Sequence, residues 1–201
     1  MSSGEPTSTR RDELLESAYR YVLERGLTDL SLRPLAQAVG SSPRVLLFLF
    51  GSKDGLIRAL LSRAREDERT LIENLREARA ASLPAVASRI WEWLAAPEHR
   101  GLLVLWTESY ARSLVTPSGT WGGFATVTVT DWLELLADAQ PPDQRTTPAG
   151  EAQRTLVLAT LRGALLDLLA TGNRRRTSAA VQLAISQTLD TSNHSPSPTP
   201  S

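Results

Sequence analysis

The chain has 201 residues, 22 acids against 22 bases, and 41% apolar residues. That is enough apolar material for a real core, in one compact unit or in a small domain of about 50 residues followed by a larger one. The balanced charge excludes a generally basic surface and requires any nucleic-acid contact to be local, while the absence of Cys excludes disulfides, thiolate metal sites and a Cys nucleophile.

No apolar run approaches the roughly 18 residues of a membrane span, so no membrane partner is expected. The opening MSSGEPTSTRRDE lacks the apolar stretch of a secretory leader, which points to the cytoplasm. Residues 1–8 are small and polar and are expected to be disordered. A first helix is predicted over residues 9–25, with Leu14, Leu15, Ala18, Tyr21 and Val22 on one face and Gly26 ending it. Arg10 and Arg11 near its start either touch phosphate or are solvated.

Leu30 to Lys53, LSLRPLAQAVGSSPRVLLFLFGSK, reads as two short helices around a tight turn. Ser31 can cap the first, Pro34 is tolerated in its first turn, and Gly40 can take the positive φ that ends it. Ser42 can cap the second helix, Pro43 suits its first position, and Gly51 stops it. The stretch carries Arg33, Arg44 and Lys53 and no acid. Such a surface suits phosphate, because cations there release counterions. The arrangement fits a helix-turn-helix, and it fits an ordinary corner between two helices as well.

The run Arg11, Leu14, Leu15, Ala18, Gly26, Ser31-Leu32-Arg33, Leu35-Ala36, Gly40, Ser42, Leu46, Phe50, Ser52-Lys53 and Leu56 resembles the N-terminal DNA-binding domain of the TetR (tetracycline repressor-like) regulators. The resemblance covers residues from about 10 to 60 and implies DNA binding. It has two departures. Leu47, Phe48 and Leu49 stand where the family usually has aromatic or His residues, and Leu47 replaces a Tyr that commonly bonds phosphate. Arg44 replaces a small residue.

A long fourth helix begins at Lys53, with Leu56, Ile57, Leu60, Leu61, Ala64, Leu71, Ile72, Leu75 and Ala78 in helical period. The resemblance makes it the link to a regulatory domain. Further helices are predicted at 84–95, 99–113, 121–138, 150–171 and 177–189. The segment FATVTVT, 124–130, is β-branched and would prefer a strand locally, but its helical flanks argue for a helix. Residues 139–148 read as a polar linker, and 191–201 as a low-complexity, disordered tail.

The helix at 150–171 is apolar around more than one face and needs burial on two sides, for which a two-fold dimer is the commonest solution. The resemblance implies pairing through the last two helices, with Leu161, Leu165, Leu168, Val181 and Ile185 as candidate dimer contacts. Arg162 and Asp167 are candidate polar contacts there. All five Trp lie between residues 91 and 132. Aromatics line small-molecule pockets, so Trp91, Trp106, Tyr110, Trp121, Phe124, Thr128 and Trp132 are candidate ligand contacts, with Glu108, Arg112 and Asp131 as further polar candidates. The alternative is a Trp-rich core with some surface Trp, since Trp91 and Trp93 cannot both face the core from one helix.

Two His, at 99 and 194, and the absence of a phosphate loop, nucleophile elbow or dinucleotide fingerprint argue against an enzyme. No cofactor and no metal are expected. The expected architecture is all-α with about nine helices: a helix-turn-helix domain at 9–55 and a helical ligand-binding and dimerisation domain at 56–190. The expected function is that of a regulator binding a palindromic double-stranded operator as a homodimer, most simply a repressor responsive to a small-molecule effector. The candidate DNA contacts are Arg33, Ser42, Arg44, Val45, Phe48 and Lys53. The alternative is a dimeric ligand-binding or protein-interaction module with weak or lost DNA binding.

Overall fold

The computed structural model describes residues 5–27, 30–77 and 82–192, with side chains from residue 9 to residue 187 inside those limits. Among the described residues the nine α-helices are α1 Glu5–Arg25, α2 Leu32–Ala38, α3 Pro43–Phe50, α4 Lys53–Glu77, α5 Leu83–Leu94, α6 Arg100–Val115, α7 Phe124–Asp138, α8 Pro148–Thr171 and α9 Arg174–Ser192. A 3-10 turn, Pro97–His99, precedes α6. The architecture is all-α, as expected. α1 opens at Glu5, ahead of the expected Thr9. Ala78 and the tail 193–201 lie outside the described residues.

The chain divides into two compact units, Met1–Thr70 with Gly101–Val127, and Leu71–Arg100 with Thr128–Ser201. In the first, Leu14, Ala18 and Val22 of α1 are buried together with Leu35, Ala36, Leu46, Phe50, Leu56, Leu60 and Ala64. Tyr19 is the buried tyrosine of α1, not the expected Tyr21, because α4 covers that side. Its hydroxyl donates to Asp67 Oδ2 at 2.8 Å, and the Arg63 guanidinium lies 4.9 Å from its ring centroid. Arg63 also bonds Asp67 and donates from Nε to Glu16 Oε1 at 2.5 Å. Burial, reinforced by the bond to Asp67, pushes the Tyr19 phenol far above its ordinary range, so it keeps its proton at any working pH.

α6 lies directly on the C-terminal end of α1. A Cβ on Gly101 would sit 2.4 Å from the Leu23 carbonyl oxygen, so only glycine fits there. About two turns further along α6, Glu108 Oε2 accepts the Leu27 N–H at 2.8 Å, just past the positive-φ Gly26 that ends α1. Glu108 was a candidate ligand contact on sequence grounds; it instead holds the segment leading from α1 toward α2. Glu108→Ala strands that backbone donor and should cost about 1–3 kcal/mol, measured by urea unfolding against the parent protein.

In the second unit α8 packs with α9, and α5 packs with both. Buried Val86, Ile90, Trp91, Val157, Leu158, Leu161, Val181 and Ile185 lie on these helices. Trp91 Nε1 donates to Ser178 Oγ at 2.9 Å, which satisfies its polar end. The stretch read as a polar linker is tightly bonded: Gln140, 2% exposed, donates to the Gly150 carbonyl and to Gln153 Oε1. Its own oxygens accept from Arg154 and Arg145.

The corner between α8 and α9 is closed by short-range bonds. Gly172 takes φ 66°, a left-handed cap. Asn173 Oδ1 accepts the Arg176 N–H at 3.1 Å, and Arg176 forks onto Asp167 at 2.5 and 2.6 Å. That guanidinium holds the Asp167 carboxyl below its usual range. Arg100 donates to the Leu169 carbonyl at 3.1 Å, near the end of α8.

Candidate nucleic-acid interface

α2 and α3 pack on each other and are joined through Gly40 at φ 63°. Leu35 and Ala36 of α2 and Leu46 and Phe50 of α3 are buried, and this fixes which faces of the two short helices turn outward. Ser31 occupies the cap position of α2 with extended backbone, but its side chain makes no capping bond. Ser42 caps α3 as expected, its Oγ accepting the Val45 N–H at 3.2 Å. Gly51 ends α3 at φ 77°, and Ser52 Oγ then accepts the Gly55 N–H at 2.9 Å to start α4.

Arg33, Arg44 and Lys53 are all exposed, and none has an ion pair among the described residues. Ser42 is also exposed, and α3 presents Val45, Leu47 and Phe48 to solvent, Phe48 at 80%. All six candidate DNA contacts therefore lie on the outside of the corner. Arg11 and Arg10 are otherwise engaged. Arg11 lies 5.0 Å from the Phe50 ring centroid, and Arg10 bonds Glu13 at 3.1 Å.

Gly55 is a packing position beneath the candidate interface that the sequence pattern does not reveal. A Cβ there would fall 2.0 Å from the Phe50 carbonyl oxygen, so the first turn of α4 sits directly against the last carbonyl of α3. No periodicity reveals such a contact, because a glycine in a helix has no side chain to count. Gly55→Ala should push α3 away from its seat, destabilise the protein by about 1–3 kcal/mol and weaken DNA binding beyond that loss of folded protein. Thermal unfolding and a DNA titration on the same preparation check the two effects.

No protein-family model matches the chain, and no curated protein does. Solved structures do. A TetR transcription regulator from Haloarcula marismortui is 18% identical, with 92% of this chain and 98% of that chain covered at a TM-score of 0.71. GusR of Salmonella enterica is 22% identical, with 94% and 98% covered at 0.66. The multidrug binding protein EbrR, complexed with proflavin, is 22% identical, with 89% and 99% covered at 0.61.

The chain has the TetR fold.

Within this TetR fold the candidate ligand contacts fall in both compact units. Trp106, Tyr110, Trp121 and Phe124 belong to the first, and Trp91, Thr128 and Trp132 to the second. Trp91 is 2% exposed and bonded to Ser178, which makes it a core residue. Trp106, Phe124, Thr128 and Trp132 are buried, and Tyr110 and Trp121 are half-buried. The Arg112 guanidinium lies 5.3 Å from the Trp121 ring centroid. Trp93 leaves the core, as the helical spacing from Trp91 requires, and stacks on His99 at 3.8 Å between ring centroids.

Of the candidate dimer contacts, Leu161, Val181 and Ile185 are 2%, 0% and 8% exposed in the single chain, so their side chains pack mainly within it. Leu165 and Leu168 are half-buried. Asp167, a candidate interface contact, pairs within the chain with Arg176. The outward apolar residues are Leu156 and Leu166 on α8 and Leu183 on α9. Ala159, Gly163 and Ala170 continue the exposed stripe on α8 at spacings of three and four. Among the described residues no group of three or more His, Asp or Glu is placed to hold a metal ion, and no helix is long and apolar enough to cross a membrane.

Proposed function

We propose that this protein is a sequence-specific DNA-binding transcriptional regulator. The observation that carries the reading is the outward side of the α2–α3 corner, where Arg33, Arg44 and Lys53 stand exposed around a capped recognition helix. Arg44 sits at the start of α3, where side chains of such a helix reach base edges. Arg33 and Lys53 meet backbone phosphate, Lys53 with the added pull of the N-terminus of α4.

The regulator acts as a homodimer on a palindromic operator. Support comes from the exposed stripe Leu156, Ala159, Gly163, Leu166 and Ala170 on α8, with Leu183 on α9. Gly163 leaves open space where a Cβ would stand, which permits close helix approach. Two recognition helices about 34 Å apart read equivalent half-sites. A small effector that prefers a dimer with the wrong spacing releases DNA; EbrR, which shares the fold, was solved with proflavin and with imidazole. A 100-fold release requires an affinity difference of about 2.7 kcal/mol between the two states.

One observation favours a second reading, a dimeric interaction module without strong DNA binding. Phe48 is 80% exposed beside Val45 and Leu47, and exposed apolar side chains also suit protein partners. Selection of bound fragments from a random duplex library at roughly 0.15 M salt separates the two, since phosphate contacts hold at that ionic strength only in number. A palindrome with equivalent half-sites supports the regulator. No enrichment from a soluble dimer favours the module.

A further inference from the structure

The eight residues of α3, PRVLLFLF, include no Asn, Gln, Ser, Thr, Tyr, Asp or Glu. Arg44 is the one side chain of this helix that can donate a hydrogen bond, and no side chain of it can accept one. The neighbouring Ser42 Oγ accepts the Val45 N–H, and its own O–H, at the exposed start of the helix, suits a backbone phosphate. What α3 otherwise shows to solvent is carbon, with Val45 and Leu47 each 40% exposed and Phe48 80%. Among base edges in the major groove the one projecting methyl available to bury is the C5-methyl of thymine; guanine, adenine and cytosine offer polar atoms and flat ring C–H edges there. The charge around the patch decides the occupant. Exposed Arg33, Arg44 and Lys53, with no acid from Leu30 to Lys53, match a polyanion and would be desolvated at a cost against an apolar protein surface.

We infer that α3 reads its operator through pyrimidine 5-methyl groups, with one guanine per half-site read by Arg44. This deepens the DNA-binding reading and rests on it. Phe48 lies one helical turn beyond Arg44, about 6 Å along the axis, which places the methyl about two base-pair steps from the guanine. α3 has no second polar group that could tell the thymine oxygen from the cytosine amine at that position. The recognised class is therefore the 5-methylpyrimidine, and 5-methylcytosine substitutes for thymine.

The test starts from the operator selected with the whole protein. Each thymine of the half-site is replaced in both halves by uracil, by 5-methylcytosine paired with guanine, or by cytosine paired with guanine. Affinity is read by fluorescence anisotropy at fixed salt. At the contacted position uracil should bind about three- to fivefold more weakly per methyl lost, the transfer free energy of one buried apolar carbon. The 5-methylcytosine duplex should bind within about twofold of the thymine one, and cytosine as weakly as uracil. Phe48→Ala, at an exposed site that folding does not use, should abolish the difference between thymine and uracil. Equal binding of all four duplexes by the parent protein overturns the inference and leaves the regulator reading intact. A retained preference in Phe48→Ala overturns the role of Phe48. Failure to select any operator overturns both readings at once.

Discussion

Arg44→Ala should relax sequence choice at one base pair of each half-site while leaving the protein folded and still attracted to DNA. Arg44 is exposed, so its loss removes no core contact. A bidentate arginine–guanine contact is worth about 1–3 kcal/mol of discrimination. A dimer makes the contact twice, so specific affinity should fall roughly thirtyfold to ten-thousandfold, while binding to unrelated duplex changes little. Lys53→Ala should behave differently. It removes the proposed phosphate contact, so it should weaken all sequences alike and reduce the slope of affinity against salt by about one per protomer. Titrations of operator and unrelated duplex at several salt concentrations separate the two. Equal losses of specificity from both variants would reject the division of labour between base and phosphate.

Trp91→Ala carries the largest expected loss of stability. The ring is 2% exposed on α5, and its Nε1–H reaches Ser178 on α9. Truncation leaves a cavity and an unpartnered hydroxyl, at about 3–5 kcal/mol. That is a large share of the 5–15 kcal/mol typical of a folded chain. The corresponding fall in Tm is about 6–20 °C for a chain of this size. Ser178→Ala isolates the polar part: the indole N–H is stranded, and about 1–3 kcal/mol should be lost. Thermal unfolding followed by circular dichroism measures both. A Trp91→Ala loss under about 1 kcal/mol, outside the range for large-to-small core changes, would mean that the contact between α5 and α9 holds little.

The helices, and the ends of α3 in particular, were readable because they depend on local rules. Ser42, Pro43 and Gly51 bracket α3 as cap, first residue and stop. FATVTVT is helical despite its β-branched residues, since Phe124, Thr128 and Trp132, four apart, are all buried. Burial at helical spacing outweighed local strand preference. The exposed positions of Arg33, Arg44 and Lys53 were equally legible, because charge without a partner stays in water.

The misplaced residues share one cause. Periodicity shows which residues form an apolar face but not which neighbour covers it. Leu161, Val181 and Ile185 have the right pattern for an interface and pack mainly inside the chain, while Leu156, Leu166 and Leu183 remain outside. Tyr19 and Tyr21 differ by two positions, and only the approach of α4, through Asp67 and Arg63, decides between them. Glu108 reads as a spare carboxylate until α6 is laid on α1. Gly55 and Gly101 carry information only as the absence of a Cβ.

The bonded corner between α8 and α9 bears on how two protomers meet. Gly172, Asn173, Asp167 and Arg176 fix the turn with bonds drawn wholly from one chain, and Arg100 secures the end of α8. A partner therefore finds the outward stripe already assembled and has little left to order, which lowers the entropic cost of pairing. Assembly then becomes a matter of concentration rather than of folding. Dilution should then separate the proposed dimer into intact protomers, so that occupancy of the proposed operator would depend on the abundance of the protein.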